Sequence, residues 1–150
     1  MERIEILALS TAAEGVVKAL ENFKGNYLPL FASFAEGGGK IISPGQRIGV
    51  PTGISISMPD GFEGQILSDD HLSSIEGVVV LNSPGTIDPD FRGEVSAIMI
   101  NMSSRPVEIR RGMIIAKMRF SPFTRVLVTE VDELAPSARG ESGLGSTGAR

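Results

Sequence analysis

The chain has 150 residues, 41% of them hydrophobic, which suffices for one compact core and not for two ordinary domains. It has no cysteine, which excludes a disulfide framework and a thiolate metal centre, and its net charge of −4 with scattered Lys and Arg offers no basic face to a nucleic-acid duplex. No apolar run approaches the roughly 20 residues that span a bilayer, and the start lacks a signal-peptide pattern, so a cytoplasmic chain with no membrane and no nucleic-acid partner is expected.

In residues 12–23, Val16, Val17, Leu20 and Phe23 fall at helical spacing and predict one short helix. From residue 40 onward, runs rich in β-branched residues alternate with Gly, Pro, Asn and Asp, the pattern of antiparallel strands in a barrel or sandwich. Residues 54–58 (ISISM) alternate strictly, Pro59-Asp60-Gly61 supplies a turn, and residues 62–67 return, which predicts a hairpin. Residues 78–81 form a continuous apolar strand, as expected where both faces are covered, and residues 94–101, 114–120 and 125–131 read as three more strands. Met99, Met102, Met113 and Met118 fit strand core. Beyond residue 131 large apolar residues thin out, and Gly140, Gly143, Gly145 and Gly148 punctuate a tail that cannot offset its ordering entropy by its own packing. The expected organisation is therefore an N-terminal strand and helix over 1–27, a β domain over 28–131 and a flexible glycine-rich arm over 132–150.

Residues 77–94 (GVVVLNSPGTIDPDFRGE) closely resemble the third motif of dUTPases, a β-hairpin that holds deoxyuridine, and residues 139–148 (RGESGLGSTG) are similar to that family's glycine-rich C-terminal motif. Shorter landmarks at 28–30, 44–45, 51–53 and 61–65 agree, so the resemblance runs from Leu28 to Gly148. It implies an all-β, jelly-roll-like β-clip fold and a trimer whose three active sites are shared between subunits. It further implies hydrolysis of dUTP to dUMP and diphosphate, with a Mg²⁺ spanning the triphosphate oxygens. On this resemblance Asn82, Gly85 and Ile87 stand where main-chain groups read the uracil edge, and Asp88 where a carboxylate positions the attacking water. Phe91 takes the place of the tyrosine that lies against deoxyribose. Arg139, Ser146, Thr147 and Gly148 keep the phosphate-wrapping end of the tail, and Leu144 stands where an aromatic ring usually stacks on the base.

Other positions depart from the family pattern. The aspartate of the first motif, which helps hold the hydrated metal, has no counterpart between Leu28 and Pro51, a stretch shorter than usual by about ten residues, within ordinary loop tolerance. The Pro-Arg-Ser-Gly-Leu run of the second motif aligns with residues 68–72 (SDDHL), which puts Asp69 for the arginine and Asp70 for the serine. In the fourth motif Arg-Ile-Ala-Gln becomes residues 114–117 (IIAK), so that Lys117 replaces a phosphate-binding glutamine and can meet an anion only as a point charge. No residue is assigned to a protein-held metal site. Taken alone, Asp88-Pro89-Asp90 is ordinary turn chemistry, His71 has no nucleophile motif beside it, Asp69 to His71 read as a solvated loop, and a glycine-rich tail is usually a linker. Two functions remain open on the residues: a dUTP diphosphatase with weakened activity, or a non-catalytic relative that regulates or joins an intact subunit in a mixed trimer and binds dUTP or dUMP.

Overall fold

The computed structural model describes residues 3–24 and 27–141, without the side chain of Ala12. Punctuation by Gly, Pro, Asn and Asp cuts the β-branched runs into short strands. In chain order these are β1 (Glu5–Ala8), β2 (Leu28–Phe31), β3 (Gly39–Ile42), β4 (Arg47–Pro51), β5 (Ile54–Ser57) and β6 (Phe62–Ser68), then β7 (Val78–Val80), β8 (Gly85–Ile87), β9 (Ser96–Asn101), β10 (Val107–Arg110) and β11 (Ile114–Pro122). A 3₁₀ turn (Thr11–Ala13) runs into helix α1 (Glu14–Glu21), and a π-helical turn (Leu72–Glu76) precedes β7. The strands pair only antiparallel, in the orders β1-β5, β10-β3, β2-β11-β6-β8 and β4-β9-β7. These four small sheets share one core in which Leu28, Leu30, Ile54, Met99, Ile115 and Met118 are fully buried. No helix among the described residues is long and apolar enough to cross a membrane.

The all-β expectation therefore holds, while several local readings change. β5 and β6 flank the expected turn, where the Phe62 N–H donates to the Pro59 carbonyl, but they do not pair: β5 takes β1 as its partner, and β6 lies between β11 and β8. Residues 125–131 are not a strand. Once past the donation of the Phe123 N–H to the Gly61 carbonyl, the backbone meets no strand edge among the described residues of its own chain, and Val126, Leu127 and Val128 stand exposed. Only Val16 of the predicted helical stripe is buried. Val17, Leu20 and Phe23 are exposed because α1 rests on β2 with its small face, where a Cβ on Gly15 would come within 3.0 Å of the Phe31 ring. Met99 and Met118 are in the core and Met113 packs against it. Met102 is exposed because it follows Asn101 just beyond β9, and Asn101 points the other way, inward.

Asn101 organises that corner. Its buried amide donates to the carbonyls of Ile42 and Arg105, each at 2.8 Å, and its Oδ1 accepts from the N–H and the hydroxyl of Ser103 at 2.9 and 2.7 Å. Asn101→Ala removes these bonds from the Ile42 carbonyl and the Ser103 N–H, while the Ser103 hydroxyl and the Arg105 carbonyl keep their own bond at 3.0 Å, and costs about 2–4 kcal/mol at roughly 1–3 kcal/mol per orphaned group. A denaturant titration should show the loss as a lowered midpoint with an unchanged slope.

The β4-β9-β7 sheet has two unlike faces. Val50, Ala97, Met99, Val78 and Val80 point into the core. Period-two alternation puts Gly49, Ile98, Ile100 and Val79 on the other face, with Leu81 opposite Ile98 just past the end of β7. Ile98 and Leu81 are 43% and 45% exposed there, and a Cβ on Gly49 would meet nothing within 4 Å. The covering of both faces expected for residues 78–81 is thus met on one face only within a single chain.

Candidate functional site

The uracil-motif segment is not a two-stranded ladder. β7 pairs with β9, and β8 pairs with β6 through Gly64↔Ile87, Gln65↔Thr86 and Ile66↔Gly85, so residues 81–84 carry the chain from one sheet to another. Side chains fix both ends of this crossing. Ser68, the last residue of β6, accepts the Val80 N–H on its hydroxyl at 2.9 Å. At the far end the Gly53 N–H donates to Glu94 Oε1 at 2.8 Å, Thr52 Oγ1 donates to the Val95 carbonyl at 2.7 Å, and Ser55 Oγ donates to the Gly93 carbonyl at 3.1 Å. Between these anchors, the Asn82 side chain lies over buried Gly85: a Cβ there would sit 3.0 Å from Asn82 Nδ2. Ile87 is half-buried, whereas Asp88 and Phe91 are exposed on the loop that follows. The Phe91 N–H donates to the Asp88 carbonyl, and the Arg92 guanidinium closes the loop by donating to the carbonyls of Pro89 (2.6 Å) and Phe91 (2.9 Å). The Phe91 ring folds over Gly93, where a Cβ would meet it at 2.7 Å. The structure thus gathers Asn82, Gly85, Ile87, Asp88 and Phe91 on one braced segment, with Asn82, Asp88 and Phe91 exposed and Gly85 buried.

Lys117 is on a different element. It sits in β11, the second strand of its sheet, opposite Leu67 of β6 on one side and Pro29 of β2 on the other. The β11–β2 register slips between Ile114 and Ala116, a bulge that re-aims the residues after it. Tyr27 is two residues before Pro29 and so shares its face. The Lys117 ammonium lies 5.1 Å from the Tyr27 ring centroid and donates to both oxygens of Asp70, at 2.9 and 2.8 Å. Asp69 is committed as well: its Oδ1 accepts the Leu72 N–H at 2.9 Å and caps the π-helical turn. The reading of residues 69–71 as a solvated loop is corrected to this extent, since both carboxylates have defined partners while His71 is exposed.

Arg139 lies in the C-terminal coil, next to the turn in which the Gly140 N–H donates to the Ser137 carbonyl. Leu144, Ser146, Thr147 and Gly148 lie outside the described residues. An open cavity of about 540 Å³, lined by Thr11, Glu14, Lys18, Glu36 and Arg111 among others, contains none of the expected site residues. Among the described residues no group of three or more His, Asp or Glu side chains gathers as a metal site. Among those residues the donors of one chain do not by themselves make a protein-held Mg²⁺ site.

Sequence reasoning missed four contributors: Asp70 as the partner of Lys117, Tyr27 as its aromatic neighbour, and Arg92 and Glu94 as braces of the uracil segment. Pairing of residues 47 positions apart has no local signal. Only the new carboxylate at Asp70 together with the new cation at 117 hinted at it.

Comparison with known proteins followed from these features. The dUTPase family model matches residues 39–148. A deoxyuridine 5'-triphosphate nucleotidohydrolase of Methylocella silvestris is 46% identical over 122 residues, 81% of this chain and 76% of that protein. One from Rickettsia typhi is 42% identical over 147 residues, covering 92% of this chain and 99% of the relative. Among solved structures, the dUTPase of Staphylococcus bacteriophage 80alpha with dUPNHPP superposes with a TM-score of 0.79 at 18% identity over 99% of this chain and all of that one, a likeness of fold.

Proposed function

Since the chain belongs to the dUTPase family, we propose that it binds deoxyuridine nucleotides on the 78–94 segment and that its reaction is the hydrolysis of dUTP to dUMP and diphosphate, at a rate much reduced when this chain acts alone. The observation that carries the binding half is the braced crossing from β7 to β8, with Asn82 folded over buried Gly85 and Asp88 exposed one residue past Ile87. A fixed strand turn offers a uracil edge a set of main-chain donors and acceptors that cytosine cannot satisfy without leaving polar groups unpaired. Phe91 supplies an apolar ring for the sugar, and Asp88 is an exposed carboxylate with no salt bridge among the described residues, suited to orienting a water for in-line attack on the α-phosphorus.

The reduced rate rests on the other half of the site. Phosphoryl transfer depends on preorganised positive charge and alignment, and where the family pattern has arginine, serine and glutamine this chain has Asp69, Asp70 and Lys117. The active assembly is proposed to be a trimer, because the outer face of the β4-β9-β7 sheet, where Arg47 borders Ile98, Ile100, Val79 and Leu81, is largely apolar and open in the single chain, and residues 126–128 have no strand partner among the described residues. In such an assembly the uracil segment and the tail serve sites completed by neighbours, so a mixed trimer with an intact subunit is the second reading that this division of features favours. Calorimetric titration with dUMP and dCMP tests the binding half. The expected result is a preference for dUMP of at least about 100-fold, two tenfold steps of 1.4 kcal/mol for the unpaired groups. Equal affinity for the two pyrimidines contradicts uracil reading by this segment.

A further inference from the structure

We infer that Asp70, Lys117 and Tyr27 form a closed charge cluster at the phosphate end of the site that limits its preferred ligand to deoxyuridine carrying at most one phosphate. The inference rests on the proposed uracil-reading role of residues 78–94 and narrows the ligand class of that same site.

The cluster is built from three separated parts of the chain. An ammonium has three donors and no acceptor. Two of the donations of Lys117 go to the two oxygens of Asp70, and the cation also lies over the Tyr27 ring. The lysine side chain is only 24% exposed, whereas that of Asp70 is 91% exposed. An arriving phosphate therefore meets the carboxylate before the ammonium. To recruit Lys117 it must displace Asp70, leaving two like-charged groups competing for one cation.

Asp69 adds a second carboxylate next to the first. Its engagement with the Leu72 N–H holds it in position and does not cancel its charge. Asp69, Asp70 and Lys117 together carry a net charge of −1, where arginine, serine and glutamine would carry +1. Each further phosphoryl group on a nucleotide adds negative charge to be housed at this end, so lengthening the chain from monophosphate to triphosphate brings repulsion in place of the usual gain. Uracil and sugar contacts lie on a different element and are unaffected. The favoured ligand is then the reaction's product class, deoxyuridine monophosphate, over its substrate class.

The test is a calorimetric titration of the full chain with deoxyuridine, dUMP and a non-hydrolysable imido analogue of dUTP, repeated on Asp70→Asn and on Asp70→Ser with Lys117→Gln. In the natural chain dUMP is expected to bind at least as tightly as the triphosphate analogue. Asp70→Asn, which releases the ammonium while keeping the side-chain shape, should raise affinity for the analogue by about tenfold or more, one unit of charge at the effective dielectric of a protein surface. The same change should move dUMP by less than about threefold, within the usual effect of an exposed pair. The double substitution should shift the ratio in the same direction, which separates the electrostatic effect from any local unfolding caused by one replacement. Tighter binding of the analogue than of dUMP by the natural chain overturns the inference, as does a ratio unmoved by both variants, while leaving uracil binding intact. Failure of dUMP and deoxyuridine alike to bind overturns the proposed function and this inference with it.

Discussion

On the proposed reading, a homo-oligomer of this chain is expected to release diphosphate from dUTP at least about 1000-fold more slowly than a family member that keeps all the phosphate-side motifs. The figure follows from a typical loss of about 100- to 1000-fold for each preorganised contact removed from a phosphoryl-transfer site. On the proposed alignment at least three such contacts differ: the first-motif aspartate has no counterpart, Asp69, which caps a turn with its carboxylate, stands for an arginine, and Lys117, held by Asp70, stands for a glutamine. What remains is the exposed carboxylate of Asp88 on a loop braced by Arg92. Mixing the chain with an intact subunit should yield active sites that draw on this loop, and their activity should fall with Asp88→Asn in this chain alone. Diphosphate release by the purified homo-oligomer, with Asp88→Asn beside it, is the direct assay. Turnover within tenfold of an intact relative that also depends on Asp88 would restore the ordinary enzyme.

Ile98→Asp should break the assembly. The residue is at the middle of an apolar sheet face formed with Val79, Ile100 and Leu81, above the open space at Gly49. A carboxylate placed there in each copy enters a largely apolar contact in which Arg47, opposite Ile100, is the cation of the same face, and a buried charge that is not well paired costs several kcal/mol. The concentration for half-assembly should rise at least about 100-fold, equivalent to about 2.7 kcal/mol. Sedimentation velocity across micromolar concentrations reads the shift, and far-ultraviolet circular dichroism checks that the monomer stays folded. An unmodified chain that sediments only as a monomer at these concentrations would remove the basis for shared sites altogether.

The elements that were legible in the sequence are those whose cause is local. Alternation in residues 54–57 and 96–101, and turn chemistry at Pro59 to Gly61, depend on neighbours two or three residues away, and each produced the strand or turn it predicts. Strand partners were not legible. β5 pairs with the N-terminal strand and not with the β6 that follows its turn, because the choice is made by which sheet buries Ile54 and Ile56, a property of the whole core. Residues 125–131 have strand composition and no strand structure, since pairing needs an edge that the described residues of one chain do not supply. At the site, the motif residues 82–91 were readable as a contiguous string. The Lys117–Asp70 contact was not, because it is made by strand adjacency between β6 and β11 and by a bulge, neither of which leaves a periodic trace.

The pairing of β1 with β5 has a practical corollary for anyone choosing where to cut the chain. The family model begins at residue 39, and a fragment trimmed to that boundary loses β1 and β2 together. Both β5 and β11 then present unsatisfied backbone edges flanked by isoleucine and methionine, the kind of surface on which extended segments anneal into aggregates. The N-terminal stretch that carries none of the nucleotide motifs thus acts as a built-in gatekeeper of solubility.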